Sequence, residues 1–265
     1  MSQPTGNLES RWANVGGVEM HALASVDPVP ADRPPVVLVH GLVVSSRYMV
    51  PTALRLAPRF RVYAPDLPGF GRSAKPEHVL DVPELAGALA SWMQAIGLGR
   101  AALLGNSFGC QIIAEFALRH PQRMERAVLV GPTVDPKNRS LLAQFGRWLL
   151  DATREPLSLG PILVLDCLDA GLRRALRTLG YALRDRIEEK LPRVQVPTLV
   201  VRGARDPIVP QRWAEEATRL LPRGRLVVIP GAAHAVNYNS PLELVMVAGP
   251  FLQETSPEER RERAA

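Results

Sequence analysis

The sequence predicts an α/β fold in which a mostly parallel sheet is covered by helices on both faces and carries a helical insertion. Three observations predict it. Short, unbroken apolar runs recur along the chain, as strands buried on both faces require. Helical stretches separate most of these runs, the alternation that builds a parallel sheet. One interval, between Val130 and Val196, holds no such run and is too long for a structureless loop in a compact domain.

Residues 10–15 and 18–23 read as two strands around Gly16-Gly17, which supplies the positive φ of a tight hairpin. Pro28, Pro30, Pro34 and Pro35 mark the loop that follows. The buried-strand pattern then begins at residues 35–40 and returns at 60–64, 101–104, 127–130, 198–201 and 226–229. Asp81 is expected to cap a helix, with Pro83 in its first turn and Glu84 closing a capping box. Val82, Leu85, Ala86, Leu89, Met93 and Ile96 recur at helical spacing, and Gly97 suits the left-handed end. Another helix is expected from Ser240, with Pro241 next, Glu243 as box partner and Pro250 ending or kinking it.

Inside the long interval, Leu141, Leu142, Phe145, Trp148, Leu149 and Ala152 form one helical stripe, and Leu172, Ala175, Leu176 and Leu179 suggest another. Residues 132–193 are therefore read as a helical insertion above the sheet. It divides the core into residues 1–131 and 194–265. The charged tail, residues 254–265, is expected to fray.

The 265 residues, 46% of them apolar and 22% charged, suit one domain with an insertion and exclude disordered and coiled-coil classes. The net charge of +6 raises the question of nucleic acid. The basic residues are mostly arginines, scattered and mixed with acids, and no nucleic-acid motif accompanies them, so no such partner is expected. Two cysteines, Cys110 and Cys167, make neither a disulfide scaffold nor a zinc site. No apolar run is long enough to span a bilayer, and the first ten residues lack a signal core. A cytoplasmic protein without a membrane partner is the expectation, with a homodimer left open.

The strongest chemical signal is Gly105-Asn106-Ser107-Phe108-Gly109. It lies between an apolar strand and a helix on which Phe108, Ile112 and Phe116 share one face. A serine on such a turn is held in a crowded backbone geometry that flanking glycines permit. At the helix N-terminus, the Phe108 amide and the helix dipole would favour a developing oxyanion.

A serine hydroxyl needs a base. Of the five histidines, His234 follows the last apolar strand and precedes the final helix, the end of the sheet where open α/β folds place their chemistry. His21 is expected at the surface of the N-terminal hairpin, His78 in a polar loop, His120 at a helix end, and His40 in a structural role. The imidazole in turn needs an orienting carboxylate. Asp206, after the penultimate strand, keeps the chain order Ser…Asp…His; Asp135 is the second candidate. After the first buried strand, His40-Gly41-Leu42-Val43 would bring a second oxyanion donor, the Leu42 amide or that of Val43. Phe145, Trp148, Leu149 and residues 161–165 are expected to pack the insertion onto the sheet, some of them lining an apolar pocket above Ser107. Arg173, Arg174 and Arg177 read as a solvated helix face, with a substrate carboxylate as the other reading.

These segments together resemble the α/β-hydrolase superfamily over residues 15–252. The likeness is carried by Val37-Leu-Val-His-Gly41, Asp66-Leu-Pro-Gly-Phe-Gly-Arg-Ser73, the elbow at Ser107, Arg202-Gly-Ala-Arg-Asp206 and Pro230-Gly-Ala-Ala-His234. The resemblance implies an eight-stranded sheet with a cap inserted after the sixth strand. It implies Ser107, Asp206 and His234 as catalytic residues and Leu42 and Phe108 as oxyanion-hole donors, with no cofactor and no metal. Relatives with an elbow aspartate, such as haloalkane dehalogenases and epoxide hydrolases, are excluded by the serine. The function implied is hydrolysis of an ester or lactone of a small, largely apolar substrate. Gly-Asn-Ser-x-Gly also resembles the elbow of meta-cleavage product hydrolases, which break carbon–carbon bonds, although Leu42-Val-Val-Ser45 lacks their glycines. A non-catalytic ligand-binding member is the third reading, and perhydrolysis would use the same triad. Cys110 stands where many relatives carry glycine and is expected as a small buried residue.

Overall fold

A computed structural model describes residues 7–254 other than 27 and 30–32. Pro30 of the expected loop and residues 255–265 of the expected frayed tail lie outside the described residues. Eight strands form one sheet in the order β1-β2-β4-β3-β5-β6-β7-β8. β1 (Leu8–Val15) and β2 (Val18–Ser25) form the hairpin, turning at Gly16 and Gly17 with φ of 59° and 89°. β2 pairs antiparallel with β4 (Val62–Pro65). From β4 onward all pairing is parallel, through β3 (Val36–Val39), β5 (Ala101–Asn106), β6 (Met124–Val130), β7 (Thr198–Gly203) and β8 (Gly224–Ile229).

The central strands are buried along their whole length, as their unbroken apolar runs demand. Two apolar layers follow. One face of the sheet packs on α2 (Val82–Ala95), α3 (Phe108–Arg119) and α8 (Gln211–Leu220), and the other on α1 (Ser46–Leu56) and α10 (Pro241–Gln253). Asp81 and Glu84 form the expected reciprocal capping box on α2.

Two helix-end expectations change. Ser240 makes no side-chain cap to α10; its backbone N–H closes the short helix α9 (Val236–Asn239) on the Val236 carbonyl at 3.1 Å, and it stands at φ −137° and ψ 49°. Pro250 does not end α10, which runs on to Gln253. The carbonyl deprived of a donor belongs to Met246, which sits on the exposed side where water can serve it.

Between β6 and β7 the chain forms α4 (Leu141–Ala152), α5 (Leu159–Ala170), α6 (Leu172–Arg184) and the short α7 (Ile187–Lys190), with no strand among them. The helical character matches the expectation, and Trp148 packs against the core as expected, but most of the α4 stripe points outward. Leu141, Leu142, Phe145 and Leu149 are exposed, whereas Gln144 and Asp151 are buried. Arg147, on the inward side, donates to the Ile208 carbonyl at 3.0 Å. Periodicity identifies two sides of a helix, and here specific polar bonds decide which side turns inward.

Candidate active site

β5 ends at Asn106 and α3 begins at Phe108, which leaves Ser107 alone on the turn with φ 55° and ψ −117°. A non-glycine residue rarely adopts positive φ, and it persists only where its surroundings impose it. The surroundings are visible. A Cβ on Gly105 would lie 2.7 Å from Ile113 Cδ1, and one on Gly109 would lie 2.8 Å from the His40 carbonyl oxygen. The two glycines thus let β3, β5 and α3 converge, and the turn has no roomier path. The Ser107 amide donates to the Val130 carbonyl at 2.8 Å, pinning the turn to β6.

Asn106 ties this turn to the histidine loop. Its Nδ2 donates to the carbonyls of Val130 at 3.3 Å and His234 at 3.2 Å, while its Oδ1 accepts the Tyr48 hydroxyl at 2.9 Å. The residue before Ser107 therefore bonds directly to the backbone of residue 234. Gly131 lies against the same place, since a Cβ there would sit 2.9 Å from His234 Cε1 and 3.3 Å from Asp206 Oδ2.

His234 and Asp206 are in contact: Nδ1 meets Oδ2 at 2.7 Å, both residues buried. The other oxygen of Asp206 accepts the amides of Ile208 at 2.8 Å and Val209 at 2.9 Å, which fixes the carboxylate in the turn after β7. Gly203 allows the two loops to meet, because a side chain there would run into the carbonyls of Ala232 and Ala233. The remaining ring nitrogen, Nε2, is buried and has no hydrogen-bond partner among the described residues.

Two further carboxylates, not foreseen from the sequence, reach the same loop from the insertion. Asp151 Oδ1 accepts the backbone N–H of His234 at 3.2 Å. Glu155 accepts the N–H of Ala235 at 2.7 Å and the side-chain amide of Asn239 at 2.8 Å. Burial disfavours the imidazolium, but Asp206, then Asp151 and Glu155, outweigh it and lift the His234 pKa to about 9. Burial also raises Asp151, to about 6, with Glu155 and Asp206 adding to the effect and His234 opposing it. A sequence signal existed: Asp151 ends a helix, where the macrodipole disfavours a carboxylate, so its presence asks for a local partner.

Asp135 is committed elsewhere. Its carboxylate is buried against Arg147 at 3.4 Å and Arg212, and accepts the Lys137 amide at 3.1 Å. His40 is structural, as expected. Its Nε2 accepts the Leu67 amide at 3.1 Å, so the proton sits on Nδ1 and is donated to the Gly41 carbonyl at 2.9 Å. Burial pulls its pKa down, consistent with a neutral ring.

His21 is not at the surface. It is buried on β2 with Nδ1 at 2.8 Å from Asp66 Oδ2. Burial pushes Asp66 up, but this bond and the amides of Ser46 and Arg72 pull its pKa below the ordinary value. Asp66 is therefore the hub that shapes residues 66–73. Cys110 is buried, which pushes its thiol pKa up.

Leu42 and Val43, with Val43 at φ 54°, lead away from β3 beside the elbow. A Cβ on Gly41 would lie 3.6 Å from Ser107 Cβ, so this segment passes directly against the serine. Phe108 opens α3, where first-turn amides have no acceptor within the helix. Arg173 and Arg177 are solvent-exposed, as the solvated-face reading expects, but Arg174 folds back onto Gly69 and donates to the Pro76 carbonyl at 2.7 Å.

A sequence model of the alpha/beta hydrolase family matches residues 36–247. The chain belongs to the α/β-hydrolase family. Among individual α/β hydrolases, the carboxylesterase YbfK of Bacillus subtilis is 28% identical over 240 residues, 80% of this chain and 78% of that protein. The crystal structure of a bacterial membrane phospholipase A is similar at a TM-score of 0.72 and 26% identity, over 92% of this chain and 86% of that one. The 2-hydroxy-6-oxo-6-phenylhexa-2,4-dienoate hydrolase of a Rhodococcus strain shares the fold, at a TM-score of 0.71 and 24% identity, over 97% of this chain and all of the other (100%).

Proposed function

We propose that the protein is a serine hydrolase that cleaves an ester or lactone of a small, largely apolar substrate, with Ser107, His234 and Asp206 as its triad and residues 132–193 as its cap. The observation that carries this reading is the buried 2.7 Å Asp206–His234 pair, whose free Nε2 lies on a loop bonded to the residue next to the strained Ser107. A carboxylate on Nδ1 fixes the tautomer in which Nε2 can take a proton.

In this reading Ser107 Oγ bonds to the substrate carbonyl carbon as its proton passes to His234 Nε2. The amides of Phe108 and Leu42 take the negative charge on the carbonyl oxygen, each worth about 3 kcal/mol in the transition state. The carbon–oxygen bond to the alcohol breaks, and His234 gives that alcohol the proton. Water then loses a proton to His234 and attacks the acyl carbon, and Ser107 departs with the proton restored. The YbfK likeness supports the ester over other bonds.

The test is hydrolysis of short p-nitrophenyl esters, γ-lactones and a dienoate by the wild type and Ser107→Ala. Ester or lactone turnover lost in the variant supports the reading. Turnover of the dienoate alone would make it a carbon–carbon bond hydrolase, and undiminished ester turnover by Ser107→Ala would remove Ser107 from the chemistry.

A further inference from the structure

The three long helices of the insertion leave many large apolar side chains exposed. On α4, Gln144 and Asp151 are buried, while Leu141, Leu142, Phe145, Leu149 and Leu150 are exposed. On α5, Asp166 is buried, holding the Ser45 hydroxyl at 2.8 Å and Arg47 at 2.6 Å, while Leu163, Val164, Leu165 and Leu168 face outward. On α6, Thr178 and Ala182 turn inward and Leu172 and Leu176 outward. Leu157, in the turn between α4 and α5, is 95% exposed. Twelve of the fifteen exposed large apolar side chains among the described residues lie in this stretch. Soluble surfaces seldom concentrate apolar side chains in this way unless something covers them. On α4 and α5, the inward bonds of Asp151 and Asp166 hold that orientation.

Charge indicates the partner. All four carboxylates within residues 141–184 are tied down: Asp151 and Glu155 to the histidine loop, Asp166 to Ser45 and Arg47, and Asp169 to Arg47 at 3.0 Å. Arg173, Arg177 and Arg184 are exposed there. Arg173 and Arg177 follow Leu172 and Leu176 directly, so on α6 an exposed arginine strip lies about 100° around the helix from the exposed leucine strip.

We propose that these exposed side chains dock the protein on an anionic lipid bilayer, with the leucines at the headgroup boundary and the arginines on lipid phosphates. Lying on a bilayer needs no spanning segment. The expectation of no membrane partner rested on the lack of one, and no helix of the described residues is long and apolar enough to cross. A second copy of the chain fits this face less well, because a two-fold contact would gather the exposed arginines of both copies, and the partly exposed carboxylate on these helices, Asp169, already bonds Arg47. Docking here is independent of what Ser107 does.

Cys167, exposed on α5, accepts an environment-sensitive fluorophore while Cys110 is buried. The full chain, labelled and unlabelled, is mixed with phosphatidylglycerol–phosphatidylcholine vesicles and with phosphatidylcholine alone. The expected result is a blue shift and co-sedimentation with the anionic vesicles, weaker on phosphatidylcholine. Leu142→Glu and Leu157→Glu should each lower partitioning about tenfold, as loss of a buried leucine implies. Arg173→Glu with Arg177→Glu should abolish the preference for anionic lipid. Turnover of a soluble ester should not change in any of these variants. Absence of co-sedimentation with anionic vesicles overturns the proposal. If the chain is then a dimer that Leu142→Glu and Leu157→Glu dissociate, the face is covered by a second copy instead.

Discussion

Asp151, at the end of α4, accepts the backbone N–H of His234 at 3.2 Å, so the insertion holds the same loop that Asp206 holds from β7. Asp151 bonds the backbone of His234 and acts on its ring through charge. A base is active when neutral, so with the His234 pKa at about 9, kcat/KM should rise with pH towards that value. Asp151→Asn keeps an acceptor for the amide but removes a negative charge that favours the imidazolium. The acid limb should therefore move down, on the order of one pH unit, and activity at pH 7 should rise. A pH profile of ester hydrolysis checks this, and an unmoved limb would show that Asp151 is purely structural.

Asp206 and Asp135 are separated by their partners, and their variants should be separated too. Asp206→Asn keeps the acceptor for Ile208 and Val209 but loses the tautomer control of His234, so kcat should fall by about 10³-fold or more with the fold retained. Asp135→Asn should leave kcat near that of the wild type. It should cost stability, about 1–3 kcal/mol by urea denaturation, because Arg147 and Arg212 lose their shared carboxylate while Arg212 stays partly solvated.

Gly131 has φ 57°, and a Cβ there would press on His234 Cε1 at 2.9 Å and Nδ1 at 3.0 Å. Gly131→Ala should cost about 1–2 kcal/mol for the left-handed backbone. It should also displace the ring and cut kcat well beyond that stability loss. Paired thermal-melt and kinetic measurements would show whether the kinetic loss exceeds the stability loss.

Much of this was legible in the chain. Each of the eight strands announced itself as an apolar run or as an arm of the Gly-Gly hairpin; for the central strands, burial on both faces leaves little freedom in composition. Loop position at one sheet edge left both Asp206 and Asp135 open, and the chain order Ser…Asp…His with the family resemblance favoured Asp206, whose carboxylate meets His234. Other features depend on distant partners and leave a weaker local trace. His21 reads as a hairpin residue until Asp66 arrives from 45 positions away. Most of the apolar stripe of α4, Trp148 apart, reads as core until the bonds of Arg147 and Asp151 turn it outward. Glu155 gives no hint of its hold on Ala235 and Asn239 before the loops come together.

The most direct measurement is mass-mapped labelling with a fluorophosphonate, which reacts with an activated serine. One adduct per chain on Ser107, lost in Ser107→Ala and strongly slowed in His234→Ala, is the predicted result. An unlabelled chain, under conditions that label a control serine esterase, or an adduct mapped to another residue, would contradict the assignment of Ser107 as a nucleophile activated by His234.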